Sequence, residues 1–240
     1  IQNGFLNYNI IVKHKDGNEV TYPSVKKGNL YAWDHYDRTS YKVTVASNKT
    51  PIFLFNAIHD TDDLVRSWRP SFKLVPTDNY GEAEYQMNLE KLFVTDQENL
   101  NAKPIYDYSF KHFILDKISG RKADLGSKEF LVLKGRSLND KPCMLQIAFV
   151  LDDGSAFGKV LEIETNTNDY IVKLEDLQPV KTVTLPRPYP SFLPYYLEHN
   201  IKSVFDMSRI ESLQFSIGPE IPKTELNDPH GIAIISVSLK

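Results

Sequence analysis

LQIAFVL-DDGS-AFGKVLEI, residues Leu145–Ile163, decides the fold class. Leu145–Leu151 is an apolar run broken only by Gln146, too short for a buried helix and suited to a strand covered on both faces. Asp152-Asp153-Gly154 supplies turn residues, with glycine tolerating the left-handed backbone that a tight hairpin requires. Ala156–Ile163 then returns with apolar and polar residues mixed. Strand, turn and strand make an antiparallel hairpin.

The same grammar extends in both directions. Tyr41, Val43 and Val45 alternate with Lys42 and Thr44. Tyr85, Met87 and Leu89 alternate with Gln86, Asn88 and Glu90, and Leu213, Phe215 and Ile217 with Ser212, Gln214 and Ser216. Each period-two pattern predicts one face toward a core and one toward water. Pro51–Phe55, Phe130–Leu133 and Ile232–Leu239 read as more fully buried strands, and Asp16-Gly17-Asn18 as a second hairpin turn between Ile10–Lys13 and Val20–Tyr22. Helix signals are few. Thr61-Asp62-Asp63-Leu64 reads as a capped start closed by Pro70, and Asp206–Arg209 as a single turn. Many short strands with so few helices predict an all-β chain of antiparallel sandwiches.

The stretch Thr95–Pro104 is polar, Asn-rich and aperiodic, so it reads as a linker. It divides the 240 residues into two β-sandwiches in series, residues 1–104 and 105–240, each of ordinary sandwich size. The formal charge of −3 argues against a nucleic-acid-binding surface, which needs a basic stripe. No run approaches the roughly 20 apolar residues of a membrane-spanning helix. Cys143 is the single cysteine, so no internal disulfide is expected. The chain begins at Ile1 rather than Met, which reads as a processed or excised piece with any signal peptide upstream.

Catalytic signatures are absent. There is no G-x-S-x-G elbow, H-E-x-x-H, P-loop or G-x-G-x-x-G motif. Gly154–Gly158 has the wrong spacing for a nucleophile elbow, and Cys143 beside Pro142 reads as a buried structural thiol. Glycosidases need two facing carboxylates. Asp152 and Asp153 are explained by their turn, Glu162 and Glu164 by a solvated strand face, and Asp60, Asp62 and Asp63 by a helix start. The six histidines are scattered without ligand spacing. No catalytic residue and no metal ligand is assigned.

Two aromatic–polar constellations stand out instead. Leu185–Tyr196, LPRPYPSFLPYY, holds four prolines and four aromatics in twelve residues. Proline fixes φ and removes ladder donors, so this segment leaves the sheet as a stiff excursion carrying pre-ordered rings. Arg187, Tyr189, Phe192, Tyr195, Tyr196, Glu198 and His199 are its candidate ligand-binding residues, because sugar C–H faces pack on rings while hydroxyls need charged or amide partners. The alternative is that the excursion docks on protein. Trp33 and Trp68 mark the second constellation, as core anchors or as a contact patch.

The second half also carries a resemblance. Phe130–Ser137 (FLVLKGRS), the DDG hairpin, Tyr170–Leu174, Met207–Phe215 (MSRIESLQF) and the final Ile232–Leu239 strand occur in this order over roughly residues 107–240. That order resembles galactose-binding-like jelly rolls, in particular family 11 carbohydrate-binding modules. The TVTLPRPYPSFLPYY and IESLQFSIGP stretches are similar to C-terminal regions of large secreted glycan-degrading proteins of polysaccharide-feeding bacteria. The resemblance implies a galactose-binding-like jelly roll for residues 105–240, behind an immunoglobulin-like or related sandwich. It implies a non-catalytic accessory region, secreted, periplasmic or on the cell surface. Such a region would bind carbohydrate weakly or brace an upstream catalytic domain. Jelly rolls of this group often hold a structural calcium, but no contiguous Asp run places one here. The competing readings are a carbohydrate-active hydrolase with an unrecognised carboxylate pair, and a purely structural docking module.

Overall fold

The computed structural model describes residues 4–23, 40–92, 108–190, 196–197 and 203–240. The chain divides into two compact units, Ile1–Thr50 and Pro51–Lys240. In the first, β1 (Gly4–Tyr8), β2 (Ile10–Lys13), β3 (Glu19–Tyr22) and β4 (Tyr41–Val45) form two antiparallel ladders, β1 with β4 and β2 with β3. The Asp16-Gly17-Asn18 hairpin is present as expected. Asp16 accepts from the Asn18 backbone and Gly17 takes φ +90°. Tyr8 and Tyr41, directly paired, bring their rings to 5.3 Å.

The second unit is one sandwich. Its strands are β5 (Ile52–Asn56), β6 (Val65–Arg66), β7 (Ser71–Pro76), β8 (Ala83–Leu89), β9 (Ser109–Phe113), β10 (Phe130–Ser137), β11 (Cys143–Leu151), β12 (Ala156–Ile163), β13 (Asn168–Lys173), β14 (Gln178–Pro179), β15 (Thr182–Val183), β16 (Tyr196–Leu197), β17 (Ile210–Ile217) and β18 (His230–Leu239). Sheet I has the order β13-β10-β18-β8-β7, with β5 also paired to β18. Sheet II has the order β14-β12-β11-β17-β9-β6, and every pairing in both is antiparallel. The all-β sandwich expected from the strand patterns is therefore the fold.

The expected boundary is not. Strands β5, β7 and β8 precede the polar Thr95–Pro104 stretch, yet β5 and β8 pair with β18 at the other end of the chain. Removing residues 51–92 would strip sheet I of three strands. The break lies between Thr50 and Pro51, and the second unit extends well upstream of residue 105. An immunoglobulin-like sandwich over residues 1–104 is accordingly replaced by two short ladders followed by the start of the single sandwich.

The core lies between the sheets. Phe55 and Tyr85 of sheet I meet Phe110 and Phe215 of sheet II, with Phe110 stacked on Phe215 at 4.5 Å and Tyr85 edge-on to Phe110 at 5.1 Å. Apolar positions at every second residue of β11 and β17 supply the rest of this layer: Leu145, Ile147 and Phe149, and Leu213, Phe215 and Ile217. Gly158 of β12 has no room for a side chain, since a Cβ there would meet the Ile147 carbonyl oxygen at 2.3 Å.

The helical signals shift by one turn. Helix α1 covers Ala57–Asp60, with Asn56 as N-cap, and Thr61 ends it rather than starting it. Asp60 is buried there and accepts from the Asn56 amide at 2.7 Å and from Lys117 Nζ. The short helices α2 (Leu115–Ser119) and α3 (Lys122–Leu125) carry no side-chain N-cap, so no capping residue announces them in the sequence. Met207–Arg209 forms the expected turn, capped by Asp206. No helix among the described residues is long and apolar enough to cross a membrane.

Candidate functional site

The outward side chains of sheet II are polar. Gln146 and Ala148 of β11 lie beside Ser216 and Gln214 of β17, and these beside Ser109 and Lys111 of β9. Period-two alternation assigns the β17 residues of this face to water. The structure corrects that: Gln214 is 1 % exposed and Ser212 0 %, while Gln146, on a strand read as covered on both faces, is 4 % exposed.

The cover is the chain that follows β14. Pro179 pairs at the β12 edge, and the Val180 amide donates to the Ala156 carbonyl. Gln146 Nε2 then donates to the Lys181 carbonyl at 3.1 Å, and Gln214 Nε2 to the Val183 carbonyl at 3.1 Å. The segment thus runs across the strands, from β12 over β11 to β17. A crossing chain cannot join the ladder, so its carbonyls are satisfied by side-chain amides rising from the sheet. Val183 and Leu185 are buried but lie outside the inter-sheet cluster, forming a second apolar layer. Burying two such side chains contributes about 3–5 kcal/mol.

The proline-rich excursion leaves this crossing strap between β15 and β16, which pair Thr182 with Leu197 and Val183 with Tyr196. Its described residues, 185–190, form no strand, as their prolines require. The Arg187 guanidinium lies over the Trp68 ring, 4.3 Å from its centroid. Trp68 follows β6, the edge strand of sheet II, so two constellations far apart in sequence meet at one edge. Trp68 is 66 % exposed and Tyr189 84 % exposed. Tyr196 lies on β16. Phe192, Tyr195, Glu198, His199 and Trp33 lie outside the described residues.

The arrangement offers ring faces, a cation and, behind them, amides and hydroxyls. Ser109 Oγ and Ser216 Oγ are 2.7 Å apart, and Ser67 Oγ accepts from the Ser109 amide. Lys111, Gln146 and Gln214 are functional candidates that local reading passes over. Their only sequence signal is a polar residue at every second position, the same signal that a solvated face gives.

Several acidic groups elsewhere are engaged by cations. Arg209 binds Asp152 through Nε at 3.0 Å and lies 3.0 Å from Asp153. The Ser155 amide and Arg209 hold the Asp153 carboxyl down at about 2. Glu84 takes Arg136 in a two-point contact at 2.7 and 3.0 Å, and hydrogen bonds from Asn79 and then Lys134 hold Glu82 below the usual carboxylate range. Burial pushes the Cys143 thiol up to about 11, which suits the structural role expected for it. Among the described residues, no three of His, Cys, Asp and Glu converge as a metal-binding group.

No protein-family profile matches the chain, and no curated protein matches it in sequence. Solved structures do. A family 11 carbohydrate-binding module from Clostridium thermocellum, in complex with a β-1,3-1,4-mixed-linked tetrasaccharide, is similar at 9 % identity and a TM-score of 0.49, over 79 % of this chain and 95 % of that one. The agarase AgWH50C is similar at 13 % identity and a TM-score of 0.42, and an exo-β-agarase at 12 % and 0.42. The match covers 24 % and 25 % of those two agarases. The neighbours of this all-β fold are thus carbohydrate-binding modules and parts of agarases, and the likeness is one of structure at low identity.

Proposed function

We propose that this chain is a non-catalytic carbohydrate-binding region that serves a larger, secreted glycan-degrading protein, with Trp68, Arg187 and Tyr189 at the edge of sheet II as its glycan platform. The observation that carries this reading is the exposure of two rings, Trp68 and Tyr189, with the Arg187 guanidinium over the indole. Leaving an indole two-thirds exposed forgoes burial worth about 1–2 kcal/mol, and large exposed rings mark contact surfaces. Sugar rings present flat C–H faces to an aromatic and hydroxyls to Arg. The engaged state of Asp152, Asp153, Glu82 and Glu84 supports a binding rather than a hydrolytic role, since a general acid needs a raised pKa.

Isothermal titration against a panel of plant and algal polysaccharides tests this. Binding is expected in the micromolar to millimolar range, with Trp68→Ala weakening it about tenfold or more, as loss of a stacking ring at a contact centre does. Because Trp68 is largely exposed, the variant is expected to keep its melting temperature. No heat with any glycan, or turnover of a glycan by the purified chain, contradicts the proposal.

A further inference from the structure

Lys111 occupies the middle of the outward row of β9, between Ser109 and Phe113, and is 7 % exposed. It is paired with Gln214 of β17 on one side and Val65 of β6 on the other. Its neighbouring ring is Phe113, 5.6 Å from Nζ. Among the described residues no carboxylate stands within ion-pair distance of it, and the charge that acts on it is the exposed Glu211. Four half-buried cations of this unit are matched by carboxylates: Lys117 by Asp60, Arg121 by Asp124, Lys134 by Glu82, Arg136 by Glu84. A buried ammonium without a counter-ion is costly, and folded proteins normally pair one.

On the neighbouring strand β17 two buried oxygens, Gln214 Oε1 and Ser212 Oγ, also lack a hydrogen-bond partner, as does Thr184 Oγ1 of the strap. The Gln214 amide nitrogen is engaged with Val183, so its oxygen is left as an acceptor that needs a donor. The demands are complementary. The ammonium requires an anionic oxygen and the Gln214 oxygen a hydroxyl donor, while the Ser212 and Thr184 hydroxyls can donate or accept. A neutral sugar meets only the second demand, and a small inorganic anion only the first. An acidic sugar meets both.

We propose that Lys111, with Gln214 and Ser212, forms a subsite for the carboxylate or sulfate group of an acidic sugar, deepening the glycan-binding reading and resting on it. The acid group approaches from the sheet edge, where β6 is two residues long and Phe113 is 41 % exposed. Arg187 over Trp68 adds a second cation at the same edge. For the sugar's hydroxyls to reach Gln214, the strap must part from β17 at Val183.

Calorimetric titration of the 240-residue chain with an oligogalacturonate, a sulfated galactan oligosaccharide and a neutral galactan oligosaccharide tests the subsite. One acidic ligand is expected to bind at least about tenfold more tightly than the neutral one, as a charge-assisted hydrogen bond to a buried ammonium provides. Whichever acid wins identifies the group as carboxylate or sulfate. Lys111→Met, with folding verified by circular dichroism, is expected to erase the preference while retaining binding to the neutral oligosaccharide. Equal binding of acidic and neutral ligands, or a preference that survives in Lys111→Met, overturns the subsite and leaves the glycan platform standing. Failure of all three ligands and of the wider polysaccharide panel overturns both.

Discussion

The two outer faces of the sandwich are both polar, and they resolve that polarity in opposite ways. On sheet I the charges are laid out in matched pairs. Glu84 of β8 reaches across to Arg136 of β10, Gln86 donates to Glu84 at 2.7 Å, and Lys134 meets Glu82. Glu82, Glu84, Gln86 and Arg136 line an open groove with Val75, Asp78 and Thr167. On sheet II a crossing strap buries the face, and what remains beneath it is an ammonium without a counter-ion and acceptors without donors. Charges that neutralise one another serve the fold. Groups left unmet are what the proposed acidic-sugar subsite would engage, and this difference is why we propose recognition on sheet II.

The comparison breaks most easily at the strap itself. Leu185→Ala is expected to cost about 2–4 kcal/mol, because Leu185 is 3 % exposed and its truncation opens a cavity in the layer that holds the strap down. Urea denaturation measures this, and a loss below about 1 kcal/mol would mean that the strap is not packed on the sheet. Gly158→Ala comes next. The added methyl has nowhere to go against the Ile147 carbonyl, and overpacking of this kind costs about 1–3 kcal/mol.

Substituting one cation on each face then yields opposite signs. Arg136→Met on sheet I leaves Glu84, whose side chain is 6 % exposed, without its partner, and should destabilise by about 2 kcal/mol. Lys111→Met on sheet II removes an uncompensated buried charge and should stabilise by about 1 kcal/mol. Thermal melts of the two variants decide it, and the same sign for both would erase the contrast.

The smallest effect concerns His112, on the inward side of β9. Burial holds its imidazole below the ordinary value of 6.5, against the pull of Asp60, whose carboxylate lies 4.0 Å away. The unfolded chain binds the proton more readily, so this contribution to stability is present above about pH 6.5 and is lost as the pH falls below it. Stability is expected to decline from pH 7.5 to 5.5 more steeply in the parent chain than in His112→Phe.

The strand grammar of the fold was legible. Alternation in β8 and β17 and the apolar runs of β5 and β11 each mark a strand that exists, because a period of two is a local property of the backbone. Pairing is not local. The Thr95–Pro104 stretch looks like a linker between domains, whereas β8 before it and β9 after it belong to the two sheets of one sandwich, β8 tied to β18 and β9 to β17. Exposure was equally out of reach on sheet II. Gln214 and Ser212 carry the pattern of a wet face, and only the strap, some 30 residues earlier in the chain, shows that the face is covered. The site was legible by residue type alone. Trp68 and Arg187 stand out as a tryptophan and as a cation among prolines, but their meeting at one sheet edge depends on the whole topology.

The central claim is that a glycan lies against Trp68, and the chain's own fluorescence reports on it. The sequence has two tryptophans, so Trp33→Phe leaves Trp68 as the sole indole. Titrating this variant with the panel's tightest-binding glycan should shift or quench its emission saturably, with the same midpoint as the calorimetric isotherm. Calorimetric binding with the indole emission unchanged would place the glycan elsewhere and contradict the account.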